Sequence, residues 1–352
     1  MVRSFVDLRV SALGLALILA LAGCSTKKPP EPSPYVKPLP AEATPAPAPT
    51  PSNTGTAAVR NDSPYAIAID PDGNVWFTQY QSPHIGRMNA DGHTTIFPIA
   101  EDSFAQRLTA GPDSAIWFTD PPNGRIGRLG YDGQLAYVKL PNSQCGPSGI
   151  AAGSDGMIYF AEHAAARIGR MSTKGALTEF TVRPGSGPAA VAATSSAVYF
   201  TEDKANKIGR IDKSGKITEF SLPTLGAIPG SIAAAPDGSV YFNEMAARKV
   251  GRLSPDGQIS EFALPPGAGA PLGIAVSPDS NVWVTIPREN VVYRTTSGRA
   301  SGEFKTSREG APAFIAAAPS GGDVYFTELD NHVSRITSSG EITEFNIAPP
   351  RD

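Results

Sequence analysis

The feature that most constrains this chain is a repeat. An aromatic pair or its variant recurs at Trp76-Phe77, Trp117-Phe118, Tyr159-Phe160, Tyr199-Phe200, Tyr241-Phe242, Trp283-Val284 and Tyr325-Phe326. Successive pairs stand 41, 42, 40, 42, 42 and 42 residues apart. A second marker, Ile-Gly-Arg, follows at Ile85-Gly86-Arg87, Ile126-Gly127-Arg128, Ile168-Gly169-Arg170 and Ile208-Gly209-Arg210. It then drifts to Val250-Gly251-Arg252, Val292-Tyr293-Arg294 and Val333-Ser334-Arg335. A third marker is the aromatic that ends each unit: Phe97, Tyr137, Phe180, Phe220, Phe262, Phe304 and Phe345. Three markers in register leave repetition as the organising fact of the sequence.

One unit reads as four short strands. In the fifth, Ser231 to Ala235 leads through Pro236-Asp237-Gly238 to Val240 to Glu244, then Val250 to Leu253, Pro255-Asp256-Gly257 and Gln258 to Leu264. Asp-Gly turns supply the positive φ that tight hairpins need. Helical solenoids have similar periods, but these units lack helical periodicity and are broken by Gly and Pro. The expected fold is all-β, a seven-bladed β-propeller of four-stranded antiparallel blades. Its blades fall at about 63–104, 105–145, 146–187, 188–227, 228–270, 271–311 and 312–352. Small residues crowd the first strand of most units (Ala66, Ala68, Ala151, Ala152, Ala192, Ala193, Ala233 to Ala235, Ala316 to Ala318). Innermost strands converge on the axis, where larger side chains would collide. The last unit holds its own fourth strand, Glu341 to Ile347, so closure is expected from packing of the last blade on the first, with residues 56 to 62 as possible help.

Ahead of the repeats lie two segments of different character. Residues 1–23 read as an export signal, with Arg3 and Arg9 before an apolar stretch from Val10 to Ala22. That stretch is too short to span a bilayer comfortably. Leu21-Ala22-Gly23-Cys24 resembles a bacterial lipobox, which makes Cys24 the expected site of lipidation. Residues 24–62 carry Pro29, Pro30, Pro32, Pro34, Pro38, Pro40, Pro45, Pro47, Pro49 and Pro51 among small polar residues. Such a linker stays extended and could hold residues 63–352 as far as roughly 100 Å from a membrane, at about 3.1 Å per residue. The expected location is the periplasmic or cell-surface side of a bacterial membrane, and the outer membrane in a Gram-negative host. With Cys24 acylated, Cys145 has no disulfide partner and is expected to be a small buried hydrophobe. A net charge of −3 and the absence of a basic run argue against a nucleic-acid partner. A monomer is expected.

The pattern Gly-Ile-Ala, Pro-Asp-Gly, Trp-Phe-Thr-Glu, Ile-Gly-Arg-Ile, Ile-Thr-Glu-Phe resembles the virginiamycin B lyase family of streptogramin-inactivating propellers. Phe200-Thr201-Glu202, Lys207 to Ile211 and Ile217 to Phe220 are close matches, and the resemblance spans about residues 63–352. It implies a propeller. It also implies ring opening by elimination, assisted by Mg²⁺, with histidines in Pro-His motifs where inner strands begin. The corresponding positions here are Tyr65, Arg107, Ser148, Ala189, Gly230, Leu272 and Ala313, and none is histidine. No cofactor is therefore expected, and Mg²⁺ only if lyase activity is retained.

The position two residues after each pair holds Gln79, Asp120, Glu162, Glu202, Glu244, Ile286 and Glu328. Its near-universal acid is read as architecture, in an exposed pair with the Arg of Ile-Gly-Arg in the same blade. The histidines His84, His93, His163 and His332 show no metal-ligand spacing. Function should sit where units differ, which gives Tyr65, Arg107, Glu162, His163, Leu272 and Phe314 as the candidate ligand-binding set at the channel mouth. An Arg among aromatic and apolar groups suits an anionic or aromatic ligand; alternatively, Arg107 pairs with a carboxylate such as Asp120. Three readings stay open: a non-catalytic binder of a small molecule or protein, a lyase with rearranged catalytic residues, and a metal-dependent lactonase. The last needs carboxylates on the axis, where the inner strands offer little beyond Asp70.

Overall fold

The computed structural model describes residues 63–296, 299–306 and 310–347. The export signal, Cys24, the linker to residue 62 and the extreme C-terminus lie outside the described residues. The chain forms seven four-stranded antiparallel sheets, each paired in simple sequential order. Blade 4 is typical: Pro188–Ala193, Ala197–Glu202, Lys207–Asp212 and Ile217–Ser221 run from the axis outward. The described helices are two short 3₁₀ turns, Pro121–Asn123 and Pro287–Glu289.

The aromatic pair explains how blades join. Neighbouring residues of a strand point to opposite faces, so each pair serves two interfaces. Trp76 packs toward blade 2 with Ile116, Phe118 and Leu129, while Phe77 packs toward blade 7 with Phe314 and Val333. The same division holds around the ring: Trp117 and Phe160 share one cluster, Tyr159 and Phe200 the next, then Tyr199 and Phe242. Seven clusters occupy seven interfaces.

Ile-Gly-Arg is the counterpart of the pair's second aromatic. Gly209 lies directly across the strand from Phe200, and a Cβ there would stand 2.0 Å from Phe200 Cζ. Gly86, Gly127, Gly169 and Gly251 meet their own phenylalanine rings at 2.0–2.2 Å in the same way. The drift in blade 6 follows from this packing. Val284 replaces the ring and Tyr293 replaces the glycine directly opposite, so bulk has changed strands.

A hydroxyl ring ties neighbouring blades. Thr201 Oγ1 accepts from Ala190 N at 3.0 Å and donates to Gly230 O of blade 5 at 2.9 Å. Thr119 reaches Ser148 O, and Thr285 reaches Ala313 O. Blade 3 has Ala161 at this position, and Ser148 Oγ instead spans to Ala189 O at 2.9 Å. The ring closes by the same device. Thr327 Oγ1 donates to Tyr65 O at 2.7 Å, joined by Ser63 Oγ to Leu329 O at 2.7 Å. Blade 7 owns its fourth strand, Ile342–Asn346.

One expectation is overturned. The acid after the pair does not bind the Arg of Ile-Gly-Arg. Cross-strand register sets Arg128 opposite Trp117 and Asp120 opposite Arg125, so acid and Ile-Gly-Arg arginine are three rungs apart. Arg128, Arg170 and Arg252 instead bind Asp113, Asp155 and Asp237 of the turns at 2.7–3.0 Å. Nor are the acids exposed, since Asp120, Glu162, Glu202, Glu244 and Glu328 are all buried.

Candidate functional site

First strands enter the blades at one end of the channel, and there a cavity of about 580 Å³ opens, a size typical of small-molecule sites. Arg107, Ser148, Ala189, Gly230 and Leu272, from the positions beside each first-strand start, line it. The loops after the aromatic pairs add His163, Asp203, Lys204 and Met245.

Arg107 is placed by its backbone, which exchanges bonds with Thr119: Arg107 N donates to Thr119 Oγ1 at 3.2 Å and Thr119 N to Arg107 O at 3.0 Å. Its guanidinium lies 3.7 Å from the centre of the Phe314 ring and 5.4 Å from that of Tyr65. Those two rings meet edge to face at 4.9 Å. Tyr65 and Phe314 thus form a buried platform behind Arg107 and do not line the cavity themselves. Asp120 is not the partner of Arg107. Arg125 Nε binds it at 2.6 Å, Ser103 Oγ at 2.9 Å and Phe104 N at 3.1 Å.

His163 extends from blade 3 to blade 4, where its Nε2 lies 3.0 Å from the Asp203 carboxylate. Its Nδ1 is buried without a partner. Gly187, at φ +66°, leaves the room this contact needs, since a Cβ there would stand 2.2 Å from Asp203 Oδ1.

Glu162 is not on the cavity wall; it is fully buried in the same blade as His163. Both its oxygens lack a hydrogen-bond partner, because Arg167 is engaged by Glu179 at 2.9 Å. Burial, and then the Glu179 charge, push its carboxyl up to about 8. Lys249 likewise binds Glu261 at 2.8 Å, leaving Glu244 unpartnered and pushed up to about 7 by burial and by Glu261. Burial also takes Glu328 to about 7 and raises Glu202. Cys145 is buried and unpaired, and burial followed by the Glu162 charge pushes its thiol far above the usual range. A thiol so held is not a nucleophile.

Asp203 and Lys204 were not among the candidates from sequence. The column that follows the acid reads Tyr80, Pro121, His163, Asp203, Met245, Pro287 and Leu329, different in almost every unit. That variability was the available signal.

Mg²⁺ takes oxygen ligands, usually one or two carboxylates. Among the described residues no three or more His, Cys, Asp or Glu converge as such a site. On the cavity wall Asp203 is the one carboxylate, engaged by His163 and flanked by Lys204. The wall thus offers a metal a single carboxylate, and that one is already held by His163. Asp70, the other axial carboxylate considered, bonds Trp76 Nε1 at 2.8 Å and Asn74 within its turn.

Fold and site together define a seven-bladed propeller whose non-repeating residues meet in a cavity at one channel mouth. The virginiamycin B lyase family model matches residues 53–271, and the chain belongs to that family. Virginiamycin B lyase from Staphylococcus aureus is similar at 31% identity and a TM-score of 0.73, covering 78% of this chain and 95% of that one. A streptogramin B lyase structure matches at 30% identity and TM-score 0.74, covering 82% and 95%. A catalytically inactive histidine-to-alanine variant of the S. aureus enzyme with quinupristin matches at 31% and 0.72, covering 83% and 97%. No curated protein sequence matches.

Proposed function

We propose that this chain is a membrane-tethered, non-catalytic member of the family that binds a small molecule or a protein segment at the channel mouth. The cavity wall carries the reading. Five of the seven positions at which the family resemblance places histidine line the cavity as Arg107, Ser148, Ala189, Gly230 and Leu272. A general base must reach the proton it removes. His163 offers no free nitrogen for this, since Nε2 is taken up by Asp203 and Nδ1 is shut away from solvent. The tether in this reading is acylated Cys24 followed by the linker to residue 62, holding a monomer outside the cell membrane. A net charge of −3 supports a partner other than nucleic acid.

Incubation with virginiamycin B and Mg²⁺ tests the catalytic part: the macrocycle is expected to stay intact, and a linearised product overturns the reading. Palmitate labelling tests the tether: label is expected on the chain and lost in Cys24→Ser. Label that survives the substitution, or never appears, overturns lipidation at Cys24.

A further inference from the structure

We infer that the ligand of the mouth cavity carries a compact anionic group, a carboxylate or a phosphoryl group, received by Arg107, beside an apolar or aromatic body. This rests on the mouth cavity being the binding site, and it adds the chemistry of what enters.

The Arg107 guanidinium lacks a protein acceptor among the described residues. Stacking on Phe314 at 3.7 Å supports one face of the guanidinium but satisfies none of its in-plane N–H donors. Among the described residues no carboxylate, carbonyl or hydroxyl accepts from that side chain, and Nη1 is buried without an acceptor. Asp120, the nearest acid by sequence reasoning, is already bound by Arg125, Ser103, Asn123 and Phe104 N. Other arginines here are used differently. Arg125, Arg128, Arg167, Arg170 and Arg252 each hold a carboxylate. A planar guanidinium, braced by aromatic rings, lining the cavity and holding no protein acceptor among the described residues, matches the oxygens of a carboxylate or phosphoryl group.

The surroundings agree in sign. Lys204 adds a second cation on the wall, exposed and without an ion pair among the described residues. Asp203 is occupied by His163. A free anion therefore meets two cations and no free carboxylate. Leu272, Met245, Pro121 and Pro122 supply the apolar wall for the rest of the ligand. Architecture does not account for Arg107, because its column is otherwise Tyr, Ser, Ala, Gly, Leu and Ala.

The test uses three probes sharing one aromatic body: 2-naphthylacetate, 2-naphthylmethylphosphonate and neutral 2-naphthylacetamide. Each is titrated against the full chain in detergent by ligand-observed NMR. At least one anion is expected to bind about tenfold or more tighter than the amide, as a charge-assisted contact implies. The order of the two anions says which source of charge the site prefers. Arg107→Gln is expected to erase the preference, with Arg107→Lys retaining part of it. Leu272→Trp, which fills the cavity, is expected to abolish binding of all three. Equal binding of amide and anions, still blocked by Leu272→Trp, overturns the anion inference and leaves the cavity standing. Binding unaffected by Leu272→Trp, or no binding by any probe, overturns both. The comparison of probes on the unmutated chain depends on no variant folding.

Discussion

Gly209→Ala puts the packing logic of the repeat to a quantitative test. The added Cβ would stand 2.0 Å from Phe200 Cζ and 2.3 Å from Cε2, inside any real van der Waals contact. Phe200 is fully buried between blades 3 and 4, so its ring cannot swing into solvent. Gly209 does not have a positive φ, so the backbone itself accepts alanine. Replacing glycine would even stabilise by about 0.4–1 kcal/mol through the stiffer unfolded chain. Overpacking costs about 1–3 kcal/mol or more in a well-filled core, so the clash should win. For a domain of this size, thermal unfolding should shift down by roughly 2–6 °C. Phe200→Leu alone should also destabilise, by leaving a cavity. The double variant Phe200→Leu/Gly209→Ala should recover part of the loss, with a coupling of about 1 kcal/mol or more in a cycle of denaturant melts. Blade 6 displays the same exchange naturally in Val284 and Tyr293. A single variant within about 0.5 kcal/mol of the parent, or strict additivity in the cycle, would refute the claim that the Ile-Gly-Arg glycine exists to receive the ring.

Other expectations follow from the buried acids and the hydroxyl ring. Glu162, Glu244 and Glu328 hold protons more tightly folded than unfolded, with values of about 8, 7 and 7 against an ordinary 4.5. Their stabilisation is full below about pH 4.5 and lost as pH rises through 7 to 8, at up to about 1.4 kcal/mol per pH unit per group. Melting temperature should therefore fall from pH 6 to pH 8.5, and Glu162→Gln should flatten that fall; an unchanged slope in the variant would contradict the assignment. Thr327→Val removes the bond to Tyr65 O and the acceptor for Phe314 N. It should cost about 2–4 kcal/mol by leaving buried groups unpaired. Thr201→Val, at an internal junction, should cost a similar amount, and a far larger loss for Thr327→Val alone would mean that the closing junction is built differently.

The fold was legible because its determinants recur. An aromatic pair or its variant, Ile-Gly-Arg or its drifted form, and a closing aromatic recur in register through seven units, and these set period, strand count and blade number. What recurrence did not reveal was direction. Asp120 and Arg128 recur together, but strand pairing sets them three rungs apart, so the Arg of Ile-Gly-Arg turns to Asp113 instead. Tracing register through Asp120 and Arg125 would have found the right partner. Contacts between units were harder still: His163 and Asp203 are 40 residues apart and meet only because blades 3 and 4 abut. Arg107 was visible as an odd residue, whereas its Phe314 platform, from the blade at the other end of the chain, required the ring to close. Glu162, from the same candidate set, is the last residue of its strand and is buried, whereas His163 begins the loop that reaches the cavity.

The most direct measurement is a crystal structure of the chain with 2-naphthylmethylphosphonate. The account predicts density in the mouth cavity, with the phosphonate oxygens on the Arg107 guanidinium and the naphthyl ring toward Leu272 and Met245. Density at the opposite end of the channel, in the hollow lined by Thr194, Ala234, Pro236 and Pro319, would contradict it.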